Sequence, residues 1–392
     1  MMQIRKVYVL AFGIICAGLA DAATVSYSTT TNWSSKTVND IDTVVVNGTN
    51  GTVVTLDQSD TAATVRVNNQ VSPITTKLKI DQNHTLNATT QIQLGTQTGG
   101  GIIAQSAGTV TTPIIQIKLS DIGGELSRYD LSGGSVSAST RVDINDKGLL
   151  SVSGGSISTP ALNVYSGGSA SLTGGTLNLD GTLTSHGTVT LDGGSILSTY
   201  SGANRTFAGT GKVEVKSGIL TMDGALATDK ININTTLFEV SGGAVTLDGQ
   251  VLVGDGGAAE FKVIGDAASI NFTTLNQSAA AGESGTFRFI FDETGVSTIN
   301  VASWMNMGAA SIIVDGSAYT NGAGTFVLFN SVNLASLADT NNFTITGFSQ
   351  NAYITQDEIN DNIILTVIPE PTTLGLFIVA SGGMMLLRRL HR

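Results

Sequence analysis

A short pattern recurs six times between residues 130 and 245. Its copies are Asp130-Leu-Ser-Gly-Gly-Ser-Val, Ser151-Val-Ser-Gly-Gly-Ser-Ile, Ser171-Leu-Thr-Gly-Gly-Thr-Leu, Thr190-Leu-Asp-Gly-Gly-Ser-Ile, Glu214-Val-Lys-Ser-Gly-Ile-Leu and Glu239-Val-Ser-Gly-Gly-Ala-Val. Measured between Gly134, Gly155, Gly175, Gly194, Gly218 and Gly243, the steps are 21, 20, 19, 24 and 25 residues. A nearly constant period with small insertions is the mark of a solenoid, because no unit of this size buries its apolar side alone. Within each unit apolar residues alternate with small polar ones, as in Ala170-Ser-Leu-Thr, the period of a strand with one buried face. Glycine at the joints supplies the tight bend or positive φ of a corner without steric cost. Such strands and corners predict one coil of a parallel β-helix per unit, right-handed by the general preference of parallel connections. With coils about 4.8 Å apart, Val152, Leu172, Leu191, Val215 and Val240 should form one aliphatic ladder, and Val136, Ile157, Leu177, Ile196 and Val245 another. The competing all-β architecture is a β-sandwich or jelly roll, which does not call for even spacing of one motif.

Outside the repeats the alternation persists but the glycine pairs thin out. It runs over Thr43 to Leu56 and Ala62 to Val71, then returns in longer strands such as Thr286 to Phe291, Thr325 to Phe329 and the final Ile363 to Ile368. The reading divides the chain into a leader at 1–22, N-terminal coils or a cap at 23–125, the repeat β-helix at 126–257, a C-terminal β region at 258–367 and a terminal segment at 368–392. Caps are expected because an open solenoid end exposes unpaired strands.

Charge narrows the partners. Only 12% of the 392 residues are charged and the net charge is -11; residues 23–368 alone hold 14 basic and 28 acidic residues. A body this acidic is unsuited to neutralising a phosphate backbone, so a nucleic-acid partner is excluded. The single cysteine, Cys16, excludes a disulfide scaffold.

Both ends read as addresses. Arg5 and Lys6, an apolar run from Val7 to Leu19 and then Ala20-Asp21-Ala22 form a secretory signal peptide, with Ala20 and Ala22 as the small residues a signal peptidase requires. At the other end Pro369-Glu370-Pro371 precedes the mostly apolar stretch from Thr372 to Leu387 and a basic tail of Arg388, Arg389, His391 and Arg392. Sixteen residues rising about 1.5 Å each make a short membrane helix of about 24 Å, with Arg388, Arg389 and Arg392 as its cytoplasmic stop. The tail resembles the C-terminal sorting signal of PEP-CTERM proteins over about its last 25 residues. That resemblance implies export in a Gram-negative bacterium, inner-membrane anchoring, and recognition of Pro369, Glu370 and Pro371 by an exosortase-like transpeptidase, followed by delivery to the cell surface or matrix. The glycine repeats are similar to autotransporter-associated β-strand repeats over about a third of the chain, which implies an extracellular β-helical module and no catalytic residues.

Candidate chemistry is sparse. His84 and His186 sit in turn-like contexts, and without a body cysteine a His/Cys zinc site is unsupported. Ala208-Gly-Thr-Gly-Lys212 lacks the first glycine and the Ser/Thr of a phosphate loop. Asp143-Ile-Asn-Asp-Lys-Gly148 begins like a calcium loop, but Lys147 takes a ligand position and Gly154 stands where the bidentate Glu belongs. Asp143, Asp146, Asp180, Asp192, Asp223, Asp248 and Asp255 could be brought together in pairs by stacking, as glycosidic cleavage needs, yet Asp in Leu-Asp-Gly is ordinary turn chemistry. The available cations are scattered: Arg141, Lys147, Arg205, Lys212 and Lys216. The expectation is therefore an exported surface or extracellular-matrix protein with a structural or adhesive body, no catalytic, cofactor or metal residues, and extracellular polysaccharide as a candidate partner. The alternative is a secreted polysaccharide lyase or glycoside hydrolase built on a β-helix.

Overall fold

The computed structural model describes residues 22–368, apart from 49–50, 69–75, 96–99, 119–126, 199–204, 224–228, 235–236, 255–257, 278–284, 337–339 and 358. The leader up to residue 21 and the terminal segment from Pro369 onward, with the sorting motif, apolar stretch and basic tail, lie outside these residues. Among the described residues no helix is long and apolar enough to cross a membrane.

The chain is all-β and winds as a three-sided parallel solenoid. Face A starts with Thr24–Tyr27 and Thr43–Val46 and runs through residues 141–144, 161–164 and 182–185 to Leu334–Ser336. Face B starts with Thr31–Asn32 and Val53–Thr55 and runs through residues 148–152, 169–172 and 188–191 to Phe343–Thr346. Face C starts at residues 60–62 and passes through 135–138, 156–159 and 176–179. From Thr24–Tyr27 to Phe343–Thr346 each strand lies in parallel register with the same segment one coil away, which excludes the sandwich and the jelly roll for this body. The bends are gentle enough that Gly148–Val164 and Ser169–Ser185 each run unbroken through all three sides of a coil.

Both anticipated ladders form. Leu131, Val152, Leu172, Leu191, Val215, Val240 and Val263 stack one above another inside face B. Val136, Ile157, Leu177, Ile196 and Val245 do so inside face C, with Leu220 filling the coil of the shortened fifth repeat. All are buried in one core that extends from Tyr27 to Val367. Toward the C-terminus the neighbouring inward column of face B turns aromatic: Val213 is followed by Phe238, Phe261 and Phe287, of which Phe238 and Phe261 stack at 5.2 Å and Phe287 meets Phe329 of face C edge-on. Burying each such side chain contributes about 1.5–3 kcal/mol, so the ladder is the main source of cohesion between coils.

The corner glycines serve two purposes. Gly134, Gly155, Gly175, Gly218 and Gly243 adopt φ between +68° and +89°, as the sequence suggested, whereas at the fourth repeat Gly193 rather than Gly194 takes the positive φ. The coils also approach so closely that a Cβ on Gly155 would lie 2.5 Å from the Gly134 carbonyl oxygen, and one on Gly175 2.7 Å from that of Gly155.

Both solenoid ends are closed. At the first coils Trp33, fully buried in a short 3-10 turn, stacks on Tyr27 at 5.4 Å and donates Nε1–H to Asp60 Oδ2 at 2.7 Å. At the other end the parallel rule stops: Asn362–Ile368 pairs antiparallel with both Gly324–Ser331 and Asn351–Asp357.

Candidate functional site

The outward residues of face B concentrate charge. Glu214 and Glu239 occupy the same position on adjacent coils, as do Lys262 and Arg288 further along that column. Lys212 Nζ bridges Glu214 Oε1 at 3.0 Å and Glu239 Oε1 at 2.8 Å. Lys262 closes on Glu239 Oε2 at 3.0 Å and Lys216 on Glu214 Oε2 at 3.3 Å. The result is an alternating chain, Lys216–Glu214–Lys212–Glu239–Lys262, spanning three coils, with the Arg288–Glu260 pair beside it at 2.9 Å. Burial pushes the Glu214 carboxyl up, but hydrogen bonds and charge from Lys212 and Lys216 outweigh it and hold the group below its ordinary value. Burial likewise pulls Lys212 down, and its two glutamate partners more than reverse that. A general acid needs the opposite environment, a carboxyl raised toward neutrality.

Beside this chain, at the corner between faces A and B, lies an open groove of about 510 Å³. Its floor is backbone: a Cβ on Gly187 would fall 2.2 Å from the Gly168 oxygen and one on Gly211 2.1 Å from the Gly187 oxygen. His186 stands on its rim, its Nδ1 accepting the Thr210 amide at 3.3 Å, and Lys212 and Leu237 form the far wall.

Asp143 lies in a strand, held by Arg141 Nε at 2.8 Å and Asn163 Nδ2 at 2.8 Å, so the segment that opens like a calcium loop is an ion-paired rung. Asp192 accepts from Ser217 Oγ at 2.9 Å, and Asp146 is exposed at a corner. Among the described residues, Asp223 and Asp248 are the one pair of those aspartates in register on neighbouring coils, and Asp248 is already engaged by Thr273 Oγ1. Asp180 lies half-buried in Ser169–Ser185, while Asp255 and the Arg205 side chain lie outside the described parts. Lys147 takes a left-handed φ of 54° in its turn. His84 contacts Gln82 Oε1 at 3.0 Å. Residues 208–212 form a corner that leads into a strand, Lys212–Asp223, where a phosphate loop would open a helix. Ala22 is exposed. No group of three His, Cys, Asp or Glu able to hold a metal ion occurs among the described residues.

The stacked carboxylates that share a cation are thus Glu214 and Glu239, neither of them among the aspartates that the sequence singles out. Their stacking was legible, because each opens a copy of the repeat. Lys262 lies beyond the last copy, and only the fold brings it to them. No protein-family model, curated protein or solved structure matches the chain.

Proposed function

We propose that the chain is an exported surface or extracellular-matrix protein of a Gram-negative bacterium, with a β-helical rod as its structural and adhesive body. A signal peptidase removes the leader at Ala20–Ala22, the C-terminal helix holds the chain in the inner membrane, and an exosortase-like transpeptidase recognises Pro369, Glu370 and Pro371. The observation that carries this reading is the construction of the body: parallel ladders on one continuous core, closed at both ends, with outward faces made of repeated side chains. A second observation supports the leader boundary. The Ala23 amide donates to the buried Asp42 Oδ1 at 3.0 Å. Cleavage after Ala22 turns that amide into an α-ammonium, making the contact a charge-assisted one.

The test is intact mass and fractionation of the native protein beside a Pro369-Glu370-Pro371 replacement. The expected outcome is a wild-type chain at the surface or in the medium without its last two dozen residues, and a full-length variant retained in the membrane. Both forms keeping the tail in the membrane would overturn the sorting step.

The enzymatic alternative, a polysaccharide lyase or glycoside hydrolase, has one observation in its favour: two stacked carboxylates with lysines alongside. Glu214→Gln and Glu239→Gln assayed on uronate and neutral glycans decide it. Turnover by the wild type that both variants lose would establish the enzyme.

A further inference from the structure

Two outward columns of face C differ from those of face B in what they omit. One outward column runs Thr85, Thr109, Ser135, Ser156, Thr176, Ser195, each directly over the last. Two residues along each strand a second column runs Asn87, Thr111, Ser137, Ser158, Asn178, and it continues without a charge to Asn330. In a body with 28 acidic residues, these two columns present only hydroxyl, amide and a few apolar groups among the described residues, with Asp180, Asp223 and Asp248 at the strand ends beside them, while face B holds most of the ion pairs. The geometry is a lattice: about 4.8 Å between coils and about 6.7 Å between columns. Rung-to-rung contacts such as Thr109 Oγ1 to Ser135 Oγ at 3.2 Å hold the hydroxyls in place.

The lattice ends in a groove. Ser59, Asp60, Thr61, Thr85 and Asn87 line a hollow of about 320 Å³ together with Val38 and Asp40 from the N-terminal coils, and the Asp60 carboxylate there already accepts Trp33 Nε1–H. Asp40 is exposed and stands at the mouth of that hollow.

We propose that face C is the adhesive surface, and that its partner is an uncharged, hydroxyl-rich polysaccharide strand lying along the solenoid axis with one end in this groove. The proposal rests on the structural and adhesive reading above and names its surface and ligand class. Hydroxyl and amide side chains both donate and accept, which suits sugar hydroxyls that do the same. A lattice repeating with every coil meets a polymer repeating with every sugar, so many weak contacts add up as avidity. Charge selects the polymer: a strongly acidic body repels a uronate chain and leaves a neutral one free to approach. Asp40 at the mouth of the groove accepts hydrogen bonds from hydroxyls at a chain end.

The experiment is depletion of the isolated full chain from solution by microcrystalline cellulose, insoluble β-1,3-glucan and alginate beads, at low and high salt. Wild type should adsorb to at least one of the two neutral polymers, independently of salt. Thr111→Glu combined with Ser137→Glu, both exposed positions on face C, should weaken adsorption at least about tenfold, because two charges and their water interrupt adjoining rungs. Ser171→Glu on face B should leave it unchanged, with circular dichroism and melting curves confirming that every variant folds. Adsorption to neither neutral polymer, equal adsorption by the face C variant, or adsorption to alginate alone with loss in salt would overturn the proposal. So would binding to ice crystals in place of the glycans. Because the assay uses the isolated chain, its failure leaves sorting to the surface untouched, and a failure of sorting leaves the adsorption result standing.

Discussion

At the residue scale, the corner glycines combine two constraints that single substitutions separate. Gly51 has φ +81° and no atom within 4 Å of a notional Cβ, whereas Gly154 has no left-handed φ but would place a Cβ 2.4 Å from the Ser132 oxygen. Gly51→Ala should therefore cost about 1–2 kcal/mol, the penalty of a left-handed backbone alone. Gly154→Ala should cost more, since two coils must part. Urea unfolding of the two variants measures this, and a harmless Gly154→Ala would show that close approach is not what the corner requires. Gln105 shows how the core tolerates a polar residue. It takes the ladder position between Ile80 and Leu131, accepts the Tyr129 hydroxyl at 2.6 Å and donates to the carbonyls of Gly108 and Ser135. Every arm of the amide is used, so its burial is compatible with stability, and burial pushes the Tyr129 phenol far up.

At the scale of the element, the glutamate–lysine chain ties coils together from outside. Glu214 is lowered, so its contribution is present above the ordinary carboxylate pKa of about 4.3 and is lost as pH falls through the folded value. Lys212 is raised, so its contribution is present below about 10.4 and is lost as pH rises past that. The chain should be intact between these limits. Glu239→Gln removes the carboxylate shared by Lys212 and Lys262, whose side chains are 30% and 21% exposed. Allowing for solvent screening, the expected loss near neutral pH is about 1–2 kcal/mol, narrowing in strong salt. Denaturant midpoints with and without salt test it; a variant as stable as wild type at low salt would remove the network from the account of stability.

At the scale of the molecule, the ends decide solubility. A solenoid without caps presents unpaired strand edges and an open core. The antiparallel pair Asn351–Asp357 and Asn362–Ile368 covers the last coils, and Phe348 packs against Phe291 at 5.3 Å. A chain stopped after residue 347 should associate into large species at micromolar concentration, as light scattering would register. A monodisperse truncated chain with unchanged far-ultraviolet spectrum would mean that the hairpin is dispensable.

The parallel β-helix, its inward ladders and its glycine corners were readable from the sequence because they follow from local alternation and a repeat that stays within 19–25 residues. Leu172 points inward whatever lies above it. What the outward residues meet is another matter, since partners one coil apart are set by corner lengths, and those vary. Lys212 reaches Glu239 across 27 residues, and Lys262 reaches back to it from beyond the last repeat. The register that builds the charged chain on face B and the neutral lattice on face C, like the antiparallel closure, was decided by the tertiary structure, because hydrogen bonding between coils fixes height along the axis where the sequence fixes only direction from it.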